Sequence, residues 1–176
     1  LKIILNCDKF KMKKKVVILD YGTGNILSIK SVLNLIGIKP TITNNKKEIL
    51  NASHLILPGV GAFATGMKNL NKFKLSDVIK EFSEKKKPIL GICLGMQLLF
   101  EESSEFGRHK GLSLLEGKVE KINYKKIYPP VIGWYKLNAR KNSKIFKFNK
   151  KFMYFVHSYQ CIPKDQKIIN STYNIF

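Results

Sequence analysis

The stretch with the clearest chemical potential is Gly91-Ile92-Cys93-Leu94-Gly95, which follows Pro88-Ile89-Leu90 and precedes the apolar segment Leu94 to Phe100. A nucleophile held between two glycines at a strand-to-helix junction is the pattern of a nucleophile elbow. The nucleophile there sits on a tight, strained turn at the carboxyl end of a strand, where flanking side chains would collide, so both neighbours must be glycine. Such a turn projects the Cys93 sulfur into the crevice at the sheet edge. A helix starting at Leu94 turns its positive end toward the sulfur and favours thiolate. The Leu94 amide is then placed to help bind an oxyanion. The competing reading, a buried structural cysteine, is common for free cysteines, but it does not account for the paired glycines.

A second glycine-rich turn, Pro58-Gly59-Val60-Gly61, closes another apolar run. If both runs are parallel strands, their ends share one sheet edge, and the backbone amides of Gly59, Val60 and Gly61 can complete the oxyanion hole. Gly22-Thr23-Gly24 begins like a dinucleotide fingerprint, but Leu27 stands where the third glycine belongs, so no nucleotide and no other cofactor is expected. Of the histidines, His54 precedes a strand and His109 sits in a charged loop, both structural or solvated positions. His157, at the end of Tyr154-Phe155-Val156, is either the base for Cys93 or a ligand-facing residue that is not the base; the residues alone leave both open. Cys7, Cys93 and Cys161 are odd in number and widely spaced, which argues against a disulfide framework and against a metal site.

The elements that must position these residues follow from periodicity. Val16 to Asp20, His54 to Leu57 and Pro88 to Ile92 are apolar runs that read as buried strands. Between them, Ile26, Ile29, Leu33 and Ile36 recur at helical spacing before Gly37, and Leu75, Val78, Ile79 and Phe82 fit one face of a second helix. That helix ends in Glu84-Lys85-Lys86-Lys87, read as a solvated face. Thr41-Ile42-Thr43 is a short β-prone stretch. Leu94 to Phe100 reads as a buried helix. The alternation predicts an α/β fold with an open, mainly parallel sheet and helices on both faces. Beyond Gly111 the pattern changes, and strands are expected at Val119 to Tyr124, Val131 to Leu137, Phe152 to Val156 and Ile168 to Tyr173.

The chain has 176 residues, 44% hydrophobic and 25% charged, values ordinary for one globular domain. Met12 leads directly into the first strand, so residues 1–11 are expected to be an extension outside the fold and 12–176 the domain. No apolar run reaches the roughly 18 residues of a membrane helix, and no signal-peptide core is present, so a cytoplasmic location is expected. The net charge of +20 is almost all lysine, with Arg108 and Arg140 the sole arginines. The lysines are scattered and lack the arginine forks that read bases and phosphates. That pattern speaks for compositional bias, and neither a nucleic-acid nor a membrane partner is expected.

Taken together, Asp20-Tyr21-Gly22-Thr23-Gly24-Asn25, Leu57-Pro58-Gly59-Val60-Gly61-Ala62-Phe63, Gly91-Ile92-Cys93-Leu94-Gly95-Met96-Gln97, Gly133-Trp134 and Tyr154-Phe155-Val156-His157-Ser158-Tyr159 resemble the class I, triad-type glutamine amidotransferases. Within them the chain resembles the glutaminase subunits of imidazole glycerol phosphate synthase, of histidine biosynthesis. The resemblance implies that Cys93 attacks the glutamine side-chain amide, forms a glutamyl thioester and releases ammonia. It implies that Gly59 to Gly61 supply an oxyanion strand that rearranges when the partner is engaged. Gln97, His157, Ser158 and Tyr159 would hold the glutamine, which makes His157 a pocket residue. Asn25 and Trp134 would face a cyclase subunit that receives the ammonia in a heterodimer.

Two departures stand out. The family's Gly-Trp is usually followed by Asn, whereas Tyr135 follows here, which leaves room for a paralogue serving another synthase, such as one aminating a surface sugar. The family's catalytic His and Glu lie on a His-x-Glu motif that this chain does not contain, so the chain as written is expected to be inactive. A triad-less regulatory subunit, or a cysteine hydrolase with another substrate, are the remaining alternatives.

Overall fold

The computed structural model describes residues 14–123, 128–139, 152–168 and 171–173. The expected extension over residues 1–11 lies outside them.

The first half is a parallel sheet with strand order β2-β1-β3-β4, built from β1 (Val16–Leu19), β2 (Thr41–Thr43), β3 (His54–Leu57) and β4 (Ile89–Gly91). β1 pairs with β2 and β3, and β3 with β4, all parallel. Side chains alternate across a strand, and the two faces have different coverings. Val16 and Ile18 pack with Ile56 and with Leu33 of α1 (Ile26–Leu35). Val17 and Leu19 join Leu55 and Leu57 in a larger core with Ile49 of α2 (Lys46–Leu50), Phe63, Met67 and Leu70 of α3 (Phe63–Lys72), and Val78, Ile79 and Phe82 of α4 (Ser76–Glu84). Val17, Ile18 and Leu19 are each 0% exposed; burying such a side chain contributes roughly 1.5–3 kcal/mol. Helices therefore cover both faces, as expected. Gly37 stops α1 at φ +81, with its N–H on Asn34 O and the Ile38 N–H on Leu33 O, the left-handed ending that glycine accommodates.

The β4 strand departs from the expected buried run. Among the described residues it pairs only with β3 and stands at the end of the strand order, and Leu90 is 37% exposed. The lysine run after α4 is not uniformly solvated either. Lys87 Nζ donates to Leu50 O and Ala52 O, at 2.6 and 2.9 Å. It thereby satisfies carbonyls at the end of α2 that have no intrahelical donor.

After β4 comes α5 (Leu94–Gln97), a single turn, and not the long buried helix expected through Phe100. Phe100 instead opens β5 (Phe100–Ser103). A second sheet, ordered β10-β7-β5-β6, combines β5 with β6 (His109–Lys110), β7 (Leu115–Lys121) and β10 (Tyr159–Pro163). His109 is thus in a short strand. The third sheet, β11-β8-β9, holds β8 (Val131–Ala139), β9 (Phe152–His157) and β11 (Ser171–Tyr173), paired antiparallel. The mainly parallel character therefore belongs to the first sheet; β5 and β7 form the remaining parallel pair. The strand expected to begin at Ile168 starts at Ser171, because Gln166–Ile168 forms a 3-10 turn.

Candidate active site

Cys93 sits where the elbow pattern places it, between β4 and α5, with φ 55 and ψ −118. Positive φ at a non-glycine residue costs on the order of 1–3 kcal/mol and persists only where the surroundings hold it. Here the surroundings are glycines. A Cβ on Gly91 would meet Met96 Cα at 2.5 Å, and a Cβ on Gly95 would run into Leu57 O at the end of β3. The turn is tied down by backbone bonds from Ile92 N to Leu57 O at 3.0 Å, Gly95 N to Ile92 O at 3.0 Å and Met96 N to Cys93 O at 3.0 Å. The sulfur-bearing residue itself is exposed.

The electrostatic help expected from a helix changes in kind. One turn of helix sums few peptide dipoles, so what α5 offers at this end is its individual N–H groups. The first N–H of a helix has no intrahelical acceptor, and in α5 it belongs to Leu94, adjacent to the sulfur.

The Pro58–Gly61 loop packs directly on the elbow. A Cβ on Gly59 would lie 2.6 Å from Gly95 N and 2.8 Å from Leu94 Cβ, so only glycine permits this approach. Gly59 is thus packed on Leu94 and Gly95, the residues that follow Cys93. Two side chains from the turn after β1 hold the loop. The buried Tyr21 hydroxyl donates to Pro58 O at 2.6 Å. The Thr23 hydroxyl donates to Val60 O at 2.7 Å, and the Val60 N–H donates back to Thr23 Oγ1 at 3.4 Å. Burial, with a smaller contribution from Cys93, pushes the Tyr21 hydroxyl well above the ordinary tyrosine range, so it remains a neutral donor.

The other expected pocket residues converge on one carbonyl. His157, the last residue of β9, has Nδ1 2.8 Å from Tyr159 O. A carbonyl can only accept, so Nδ1 carries the proton and, in the neutral ring, Nε2 carries the lone pair. The Gln97 amide of α5 also reaches Tyr159 O, at 3.5 Å. Ser158 lies between, its carbonyl accepting from Ile122 N at 2.9 Å. On β10, burial first and Cys93 second push the Cys161 thiol up to about 12, which leaves it a poor nucleophile beside the exposed Cys93.

Asn25 caps α1, its Oδ1 accepting from Ser28 N at 3.3 Å, and remains exposed. Trp134 is 69% exposed and edge-stacks on Tyr154 with ring centroids 5.6 Å apart. The neighbouring Tyr135 falls on the opposite face of the strand and pairs its ring with Phe155 at 6.2 Å. The departure at Tyr135 therefore does not alter the Trp134 face.

Three residues with roles at the site were not singled out from sequence. Tyr21 and Thr23 lay inside the motif discounted for nucleotide binding, and the hydroxyl between its glycines was the available signal. Glu105 carries no local signal. Its carboxylate accepts from Phe63 N at 2.6 Å across 42 residues, capping α3, whose own N-cap residue Ala62 has no side chain able to do so. Two surface hollows, one lined by Lys30, Asn34, Gly37, Lys39 and Pro40 and one at Lys80, Glu84 and Leu112, do not include the exposed Cys93.

Among known proteins, the family profile described as glutamine amidotransferase class-I matches residues 17–175. The imidazole glycerol phosphate synthase subunit HisH of Aquifex aeolicus is 43% identical over 158 residues, spanning 88% of this chain and 76% of its own length. The chloroplastic imidazole glycerol phosphate synthase hisHF of Arabidopsis thaliana is 42% identical over 90% of this chain and 28% of that longer protein. Among solved structures, PurLQS of Thermotoga maritima superposes with a TM-score of 0.67 at 20% identity, covering 92% of this chain and 75% of that one. A crystal structure of a glutamine amidotransferase superposes with a TM-score of 0.63 at 20% identity, covering 80% and 70%.

Proposed function

The chain belongs to the class I glutamine amidotransferases, and on that premise we propose that it is the glutaminase subunit of an imidazole glycerol phosphate synthase, serving histidine biosynthesis. The observation that carries the reading is the strained Cys93 elbow with the Pro58–Gly61 loop packed on it, in a chain 43% identical to a HisH subunit.

The geometry supports the following mechanism. The Cys93 sulfur attacks the side-chain amide carbon of glutamine, and the carbonyl π electrons move to oxygen. The Leu94 N–H and an amide of the Gly59–Gly61 loop stabilise that oxyanion. Collapse expels the nitrogen, which takes up a proton and leaves as ammonia, and water then hydrolyses the glutamyl thioester. Gln97, His157, Ser158 and Tyr159 form the wall that orients the substrate. With Nδ1 committed to Tyr159 O, His157 fits an orienting role; the family's general base is expected on a His-x-Glu segment. Asn25 and the Trp134–Tyr154 face are the surfaces offered to the synthase subunit, and the ammonia passes to that partner.

The test is glutamine hydrolysis by the complete gene product assembled with its synthase. Cys93→Ala is expected to lower turnover by at least about 10⁴-fold, in line with loss of a covalent nucleophile, while the melting profile stays unchanged. Near-normal turnover in that variant would remove the reading.

A further inference from the structure

We propose that Tyr135 is a positioning residue for the glutamine pocket: its ring holds Phe155 against the His157 imidazole and so fixes how that imidazole meets the substrate. The inference rests on the glutaminase reading and deepens it. It gives a role to the residue at which the chain departs from the family's Gly-Trp-Asn.

The register of the β8–β9 hairpin puts Gly133 opposite Phe155 and Tyr135 opposite Met153. Side chains two apart on a strand share a face. Gly133, Tyr135, Phe155 and His157 therefore lie on one face of the hairpin, and Trp134 and Tyr154 on the other. Phe155 thus has a cross-strand neighbour with no side chain to hold it. Tyr135 makes up for this by leaning back over Gly133, where a Cβ would meet its Cε2 at 3.4 Å and its Cζ at 3.7 Å. An aromatic ring laid over a sheet glycine covers the backbone that the missing side chain leaves bare. The same lean carries the ring onto Phe155, a diagonal neighbour across the ladder and within reach of an aromatic side chain. The two ring centroids are 6.2 Å apart with the planes inclined at 64°. Phe155 in turn meets the His157 ring at 6.1 Å and 56°. The three rings form a row that ends at the pocket wall.

All three rings are half-buried. Among the described residues, neither Tyr135 nor Phe155 packs on either buried cluster of the first sheet, so the row has a large share in placing each ring. His157 is the member for which placement matters. Its Nδ1 bond to Tyr159 O, 2.8 Å long, fixes one edge of the imidazole. A ring held at one edge still tilts about that bond, and Phe155 lies where it limits the tilt. The restraint is made by ring contact, so phenylalanine at position 135 serves as well as tyrosine. Asparagine is too short to reach Phe155 from across Gly133, and it leaves Phe155, and His157 after it, less restrained.

The experiment measures kcat and KM for glutamine in the complete gene product saturated with its synthase subunit. The proteins are wild type, Tyr135→Phe, Tyr135→Asn, His157→Ala and the double variant that combines His157→Ala with Tyr135→Asn. Tyr135→Asn is expected to raise KM about 3- to 10-fold, the size of one aromatic pair, with kcat within about twofold of wild type. Tyr135→Phe behaves as wild type. In the His157→Ala background, Tyr135→Asn changes KM by less than about twofold, because the group it positions is gone. A merely structural tyrosine would give the same factor in both backgrounds. An unchanged KM in Tyr135→Asn, or a full effect that persists without His157, overturns the positioning role and leaves the glutaminase reading standing. If the asparagine variant melts early, Tyr135→Leu, which keeps apolar cover over Gly133 without a ring, is read in its place by the same criteria. Absence of glutamine hydrolysis by the wild-type complex overturns that reading, and the positioning role with it.

Discussion

The parallel first sheet and the antiparallel hairpin of β8 and β9 are built from comparably apolar residues, but they use them differently. In β1 all four side chains are buried, because a parallel sheet joined through helices has both faces covered. In the hairpin the alternation leaves Ile132, Trp134, Phe152, Tyr154 and Val156 exposed on one face, with Trp134 opposite Tyr154 and Ile132 opposite Val156. The first region spends its apolar surface on a rigid frame for a strained cysteine. The second displays it on one exposed face, the kind of patch that is a candidate interaction surface. The strained elbow and the exposed apolar face thus reside in separate structural units.

The largest effect is expected from Gly95→Ala. Its Cβ would collide with Leu57 O and lie 3.0 Å from Pro58 O, both backbone atoms that cannot move aside without disturbing β3. A loss of about 3 kcal/mol or more is expected in a denaturant titration, the range of severe overpacking. Gly37→Ala is the control. Nothing lies within 4 Å of its Cβ position and φ is +81, so it carries only the left-handed penalty of about 1–2 kcal/mol. Equal costs at the two positions would break the claim that the elbow is over-determined.

A smaller effect, of a different kind, is expected from Trp134→Ala. Stability should change by less than about 1 kcal/mol, since the side chain is mostly exposed. Affinity for the synthase subunit in titration calorimetry should fall by about 2 kcal/mol, as for an aromatic anchor. The reverse outcome, lost stability with unaltered affinity, would assign this face to the chain's own fold.

The smallest effect concerns pH. Burial, and secondarily Lys14, lower the His54 pKa below its ordinary 6.5, with Nδ1 2.9 Å from Ser53 Oγ. The unfolded chain then binds the proton more readily than the folded one. The stabilising contribution is complete above about pH 6.5 and is lost as pH falls through the depressed value. His54→Asn should flatten the melting temperature's dependence on pH across that acid side. An undiminished slope would show that other groups carry it.

How much of this was legible in the sequence depended on how local the cause was. β1 and β3 announced themselves as apolar runs, the stop at Gly37 as a glycine, and the elbow as paired glycines around Cys93. The α3 helix has a local signal too, Phe63, Met67 and Leu70 at helical spacing. The β5 and β10 strands were not legible. Phe100-Glu101-Glu102-Ser103 becomes a strand because it lies beside Leu115 to Val119, and that pairing also cuts α5 to one turn. A strand's ladder needs a partner, and the partner's identity is written elsewhere in the chain.

The same division holds at the site. By itself, the sequence determined the elbow at Cys93, the glycines that allow its strained turn, and the glycine-rich turn after β3, because each is a short-range steric requirement that only particular residue types meet. Tertiary structure alone decided that Thr23 holds Val60, that Glu105 caps α3 and that His157 and Gln97 meet at the Tyr159 carbonyl. Hydrogen bonds between residues tens of positions apart depend on distances of a few tenths of an ångström, and those exist only once the strands have taken their register.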